Sequence, residues 1–213
     1  MKVVQWFVAF AACGDSGGDG GIDATSADPC APKLSFTGEY LDWDSTSAGI
    51  NGATFVWPTA PITMDVTAPN GHFEMCIPAE DGFVQVFPMS GSEYVEGIVA
   101  VDRDSLSLLP VQSYRSFTLA RAAELGFDAD RAHVFVHVVG DARTVRTAAP
   151  AGLMQTFANG VWSPGNTGTD VYLGNITILG LDTVLDISGG NYLGPTHIPL
   201  SAGVLTYATV LAR

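Results

Sequence analysis

From Leu34 onward, apolar and polar residues alternate in short runs broken by turn-forming residues, the period-two pattern of half-buried strands. Leu34 to Tyr40 alternates and ends at the turn Asp42-Trp43-Asp44-Ser45-Thr46. Gly52 to Trp57 is a second run, closed by Pro58, and Ile62 to Thr67 a third. Ala68-Pro69-Asn70-Gly71 then predicts a hairpin, because Asn and Gly tolerate positive φ, with His72 to Ile77 as the returning strand. Gly82 to Phe87 and Tyr94 to Val101 follow. One helix is expected, Ser116 to Leu125: Ser116 or Thr118 can cap it, Leu119, Ala122 and Ala123 form its stripe, and Gly126 can end it. After it, Ala132 to Val139 alternates with His133, Phe135 and His137 on one side. Asn166-Thr167-Gly168-Thr169 turns into Asp170 to Ile176, and Leu181 to Ile187 and Gly203 to Leu211 complete the set. Strands at this spacing predict an all-β protein. The expected layout is a β-sandwich over 33–110, a helical linker over 111–131 and a second sandwich over 132–213, with one larger sandwich across 33–213 as the alternative.

The first thirty residues follow no such pattern. Lys2 precedes the apolar run Val3 to Ala12, which ends in small residues, the outline of an export signal over 1–12. The run is too short to span a bilayer, which takes about 20 residues. Phe10-Ala11-Ala12-Cys13 resembles the lipobox of bacterial lipoproteins. The resemblance implies a lipidated (palmitate-bearing) Cys13 and a chain held by that lipid at the membrane of the cell envelope, on the outer membrane or cell surface. Residues 13–32 then form a Gly-rich linker with four aspartates between Gly14 and Pro29. Nothing in it can bury enough apolar surface to offset the entropy of ordering. Such a tract reaches about 22 Å on average, from roughly 5–6 Å times the square root of its length.

Composition sharpens this reading. Apolar residues make up 47% of the chain, enough for a core, while charged residues make up only 15%. The net charge is −13, nearly all of it in residues 1–102, which carry 2 basic and 14 acidic groups. With no basic patch to follow phosphates, nucleic acid is not an expected partner. Of three cysteines, Cys13 is taken by the lipid, which leaves Cys30 and Cys76 as an even pair and predicts a disulfide in an exported protein.

Gly52-Ala53-Thr54-Phe55-Val56, then Thr67-Ala68-Pro69-Asn70-Gly71-His72-Phe73-Glu74-Met75-Cys76-Ile77-Pro78, resembles the carboxypeptidase regulatory-like domain, a transthyretin-like (prealbumin-like) sandwich, over about residues 33–102. Asn70-Gly71-His72-Phe73 and Ile77-Pro78 carry most of the match, with Gly71 accepting the turn and Phe73 entering the core. The resemblance implies a non-enzymatic accessory or adhesion module, with glycans or other envelope proteins as ligands.

Catalytic patterns are sparse. The serines in Met89-Ser90-Gly91-Ser92 and Ile187-Ser188-Gly189-Gly190 do not fit the strand-turn-helix elbow of a hydrolase nucleophile. His133 and His137 are expected as polar positions on a half-exposed face. They lie about 13 Å apart along a strand, from roughly 3.3 Å per residue, too far to share an ion. Transthyretin-like sandwiches also house the intradiol dioxygenases, whose pattern Pro195-Thr196-His197-Ile198-Pro199 superficially resembles; Pro199 stands where a second histidine ligand belongs, so no iron or other cofactor is expected. The pairs Asp42/Asp44, Asp102/Asp104 and Asp128/Asp130 read as turn caps. For binding, Tyr40, Trp43, Trp57, Tyr94 and Trp162 are the candidates, since exposed aromatics stack on sugar rings or on a protein partner. The expectation is therefore a binding or structural envelope module, with a cryptic hydrolase or a degenerate dioxygenase relative as the alternative.

Overall fold

The computed structural model describes residues 30–213 except 46, 47 and 110; the expected signal, Cys13 and most of the linker lie outside the described residues. The first half gives β1 (Leu34–Asp42), β2 (Thr54–Trp57), β3 (Thr63–Val66), β4 (His72–Ile77), β5 (Gly82–Phe87) and β6 (Gly97–Val101). Next come α1 (Arg103–Leu108), β7 (Val111–Ser116) and α2 (Leu119–Glu124). The second half gives β8 (Ala132–Val139), β9 (Arg143–Thr147), β10 (Ala151–Ala158), β11 (Val161–Pro164) and β12 (Thr167–Gly168). It closes with β13 (Asp170–Ile176), β14 (Asp182–Ser188), β15 (Tyr192–Leu193), β16 (His197–Pro199) and β17 (Leu205–Ala212).

These strands build an all-β fold of three layers. The middle layer is a ten-stranded sheet in the order β11-β10-β13-β8-β17-β6-β5-β2-β3, with β15 added beside β17. A three-stranded sheet, β4-β1-β7, covers part of one face, and a four-stranded sheet, β12-β9-β14-β16, covers part of the other. The alternation of side chains along each strand sorts the middle sheet between two cores. In β17, Leu205 and Tyr207 join the first core while Ala208 and Val210 join the second; in β8, Phe135 joins the first and Val134, Val136 and Val138 the second. Strands buried on both faces read as nearly continuous apolar runs, and β8 and β17 do so.

β17 runs parallel to both β6 and β8 and lies between them. The segments 33–110 and 132–213 thus share one sheet rather than each closing a sheet of its own. The stretch 111–131, expected as a helical linker, opens instead with β7, which pairs in parallel with β1, and its helix shrinks to α2. Thr118 is the cap, its hydroxyl accepting from the Arg121 amide at 3.2 Å, and Gly126 ends the helix at φ +78°. The Asn70-Gly71 turn forms, but β3 and β4 enter different sheets and make no hairpin ladder. Gly71 has φ +82°, and a Cβ there would sit 2.2 Å from the Tyr40 carbonyl oxygen. The turn is a corner between layers. It delivers Phe73 into the first core, where its ring stacks on Phe55 at 4.1 Å. Cys30 and Cys76 are joined by a disulfide that ties the start of the described chain to β4.

Candidate functional site

A cleft of about 330 Å³ opens between β7, the outer strand of the three-stranded sheet, and the middle sheet. Thr209, His137 and Asp170 are ladder neighbours on β17, β8 and β13, so they form a row on its wall. Phe135, two residues from His137 on the same face, and Trp43 supply apolar lining; Gln112, Ser113 and Arg115 come from β7. Trp43 is wedged in place. It stacks on Phe117 at 5.0 Å and on Trp162 at 5.1 Å, and meets Phe135 edge-on at 4.8 Å. The Arg115 guanidinium lies over the Trp43 ring, 5.5 Å from its centroid, a cation–π contact that orients the cation without neutralising it. The Arg115 guanidinium makes no ion pair or hydrogen bond among the described residues. His137 Nδ1–H donates to Asp170 Oδ1 at 2.7 Å, which leaves Nε2 as the other functional nitrogen of the ring. A fixed, unpaired cation beside a short row of donors and acceptors suits a ligand with an anionic group and hydroxyls.

The aromatic residues expected to bind do not form one strip. Tyr40, Trp43 and Trp57 are buried in the first core, because a sheet covered on one face by a second layer fills the gap with its largest side chains. Burial withdraws Tyr40 and Trp57 from any ligand, and Trp43 acts as the support under Arg115. Trp162 is half-buried against Phe157 at 5.1 Å and Trp43. Tyr94, also half-buried, donates its hydroxyl to Asp42 Oδ2 at 2.7 Å, and burial, then that carboxylate, push its pKa up to about 12.

The histidines separate as well. His137 is exposed, but His133, expected on the same half-exposed face, is fully buried. Its ring stacks on Phe127 at 3.5 Å. The D-x-D aspartates serve turns and caps: Asp42 Oδ1 accepts from the Asp44 and Ser45 amides, Asp102 Oδ1 from the Ser105 amide, and Asp128 Oδ1 from the Asp130 amide. His197 faces Asp182 at 3.4 Å, and no group of three or more His, Cys, Asp or Glu is gathered for a metal among the described residues. Sequence reasoning missed Arg115 and the His137–Asp170 pair. Alternation placed His137 beside Phe135, but the register that brings Asp170 to it is set by two strands far apart in the chain.

No family model matches the chain, and no curated protein sequence does. Among solved structures, the chain is similar to the Bacillus anthracis TIE protein at 10% identity and a TM-score of 0.29. The match covers 85% of this chain and 34% of that protein.

Proposed function

We propose that this chain is a lipid-anchored, exported β-sandwich module of the cell envelope, with a carboxypeptidase regulatory-like first half, that binds an acidic glycan without chemical turnover. The unpaired Arg115 held over Trp43 at the mouth of the cleft carries the reading. Guanidinium forks match carboxylates in geometry and charge, and Gln112, Ser113 and Thr209 offer partners for sugar hydroxyls. The Cys30–Cys76 disulfide supports export, since such bridges persist in oxidising compartments.

Two measurements test it. The intact mass of membrane-extracted protein should correspond to a chain starting at Cys13 with added acyl groups; a soluble species retaining Met1 removes the anchor. Calorimetry should find binding to a uronic-acid oligosaccharide but not to its carboxyl-reduced counterpart, and Arg115→Ala should weaken it about tenfold or more, about 1.4 kcal/mol. Equal affinity for both sugars, or none for either, overturns the glycan reading.

One observation favours a hydrolase as the second reading: Ser113, His137 and Asp170 line the same cleft, with the carboxylate already holding the imidazole. Ser113 makes no hydrogen bond to His137 among the described residues, which is why binding is preferred. Covalent labelling of Ser113 by a fluorophosphonate, lost in His137→Ala, would replace binding with catalysis.

A further inference from the structure

The middle sheet is wider than the layer on its second face. The second core draws residues from β6, β8, β13 and β17 but none from β2, β3 or β5. The register shows what those three strands present there. Phe55 and Trp57 point into the first core, so Thr54 and Val56 point the other way. Thr54 is flanked by Val66 and Phe87, and Val56 by Met64 and Gln85, with Ile98 next to Gln85. Phe83 lies on the same face, two residues along β5. The outcome is a ladder of apolar side chains with no layer over it among the described residues: Ile62 is 64% exposed, Met64 63%, Val66 53% and Phe87 40%. A soluble surface rarely gathers such residues without a use for them. β3 is also the end strand of the sheet, and Asp65 in it accepts from the Glu74 amide of β4 at 2.6 Å.

The surface continues into a pocket of about 400 Å³ lined by Phe83, by Leu181, itself 91% exposed, and by Pro195. Asp81, Asp102 and Asp182 stand around that pocket. Residues 34–102, which supply all three face-forming strands, hold ten acidic residues and no Lys or Arg. An apolar centre with an acidic rim selects its occupant by charge. A second copy would set acidic rim against acidic rim, and an anionic bilayer would repel the same groups.

We propose that the bare face of β3, β2 and β5, together with the Phe83–Leu181 pocket, docks a partner protein whose contact surface is apolar and bordered by Lys and Arg. The site is separate from the cleft under β7, so its fate is independent of the glycan reading. The test titrates the purified chain with two fluorescent peptides of alternating sequence, one Leu/Lys and one Leu/Glu. The Leu/Lys peptide should bind saturably, and raising salt from about 0.01 M to 1 M, where the Debye length falls from roughly 30 to 3 Å, should weaken it. The decisive variants are Met64→Glu and Val66→Glu, checked by unchanged melting. If binding were only charge attraction, an added carboxylate would tighten it; docking on the apolar face requires that each variant weaken it about tenfold. Binding of the Leu/Glu peptide with equal affinity, no binding of Leu/Lys, or tighter binding by Met64→Glu overturns the proposal. So does concentration-dependent dimerisation abolished by Met64→Glu, which gives the face to a second copy, or capture by anionic vesicles abolished by the same variant.

Discussion

Both ring nitrogens of His133 are committed inside the protein. Nε2 lies 2.9 Å from the Asp128 carbonyl oxygen, which can only accept, so Nε2 carries the hydrogen. Nδ1 therefore accepts, and the Tyr172 hydroxyl donates to it at 2.7 Å. Burial raises the Tyr172 pKa and keeps that hydroxyl a donor. The same burial lowers the His133 pKa, opposed by the Asp128 carbonyl and carboxylate. The linkage has a definite sign. Above the ordinary histidine value of 6.5 both folded and unfolded chains are neutral here and the full stability is present. Below it the unfolded chain binds the proton first, so stability falls with pH until the folded-state pKa is passed. Thermal melts at pH 8 and pH 5 should show this loss, and His133→Phe should shrink the difference between them. His133 and His137 sit two alternations apart and look alike in sequence. Only the loop carrying Phe127 and Asp128, which closes over one and not the other, tells a structural imidazole from a cleft imidazole.

At the level of elements, the ladder between β1 and β4 sets Cys76 opposite Ser35 at one end and Glu39 opposite His72 at the other. The disulfide fastens the first of these ends by closing a loop with a sequence separation of 46, which the chain-entropy model values at about 4 kcal/mol. The double variant Cys30→Ser/Cys76→Ser should lower the unfolding free energy measured by denaturant titration by that order, and reduction of the native chain should mimic it. Alternation revealed β1, β4, β5, β8 and β13 close to their ends, because each has a clear inner face. It did not reveal β9, whose only apolar residue, Val145, is buried in the second core, nor β10, where Gly152, Gln155 and Thr156 blur the period. The corner at Asn70-Gly71 was legible as a turn and misread as a hairpin. Turn chemistry is local, whereas the choice of sheet for β3 and β4 depends on partners elsewhere in the chain.

For the molecule as a whole, the two cores share one wall, and this predicts that they melt together. Leu185 of β14 is buried in the second core alone, and Leu185→Ala should cost about 2–5 kcal/mol. Trp43 and Trp57 report on the first core. Their fluorescence transition should shift by the same amount as the far-ultraviolet circular dichroism; an unmoved tryptophan transition would mean two independent units. That shared wall was out of reach for a linear reading, because the apolar run of β17 marks a strand buried on both faces but does not say that β6 and β8 flank it. The position of β17 also governs assembly. Its neighbours β6 and β8 have no ladder with each other, and they begin about 110 and about 70 positions upstream of it along the chain, respectively. Until that late segment threads between them, a nascent molecule carries two raw seams at once, each able to capture a neighbour's backbone. Keeping newly made copies apart, by dilution or by a holding chaperone, should therefore govern the yield of soluble material more than any gain in final stability.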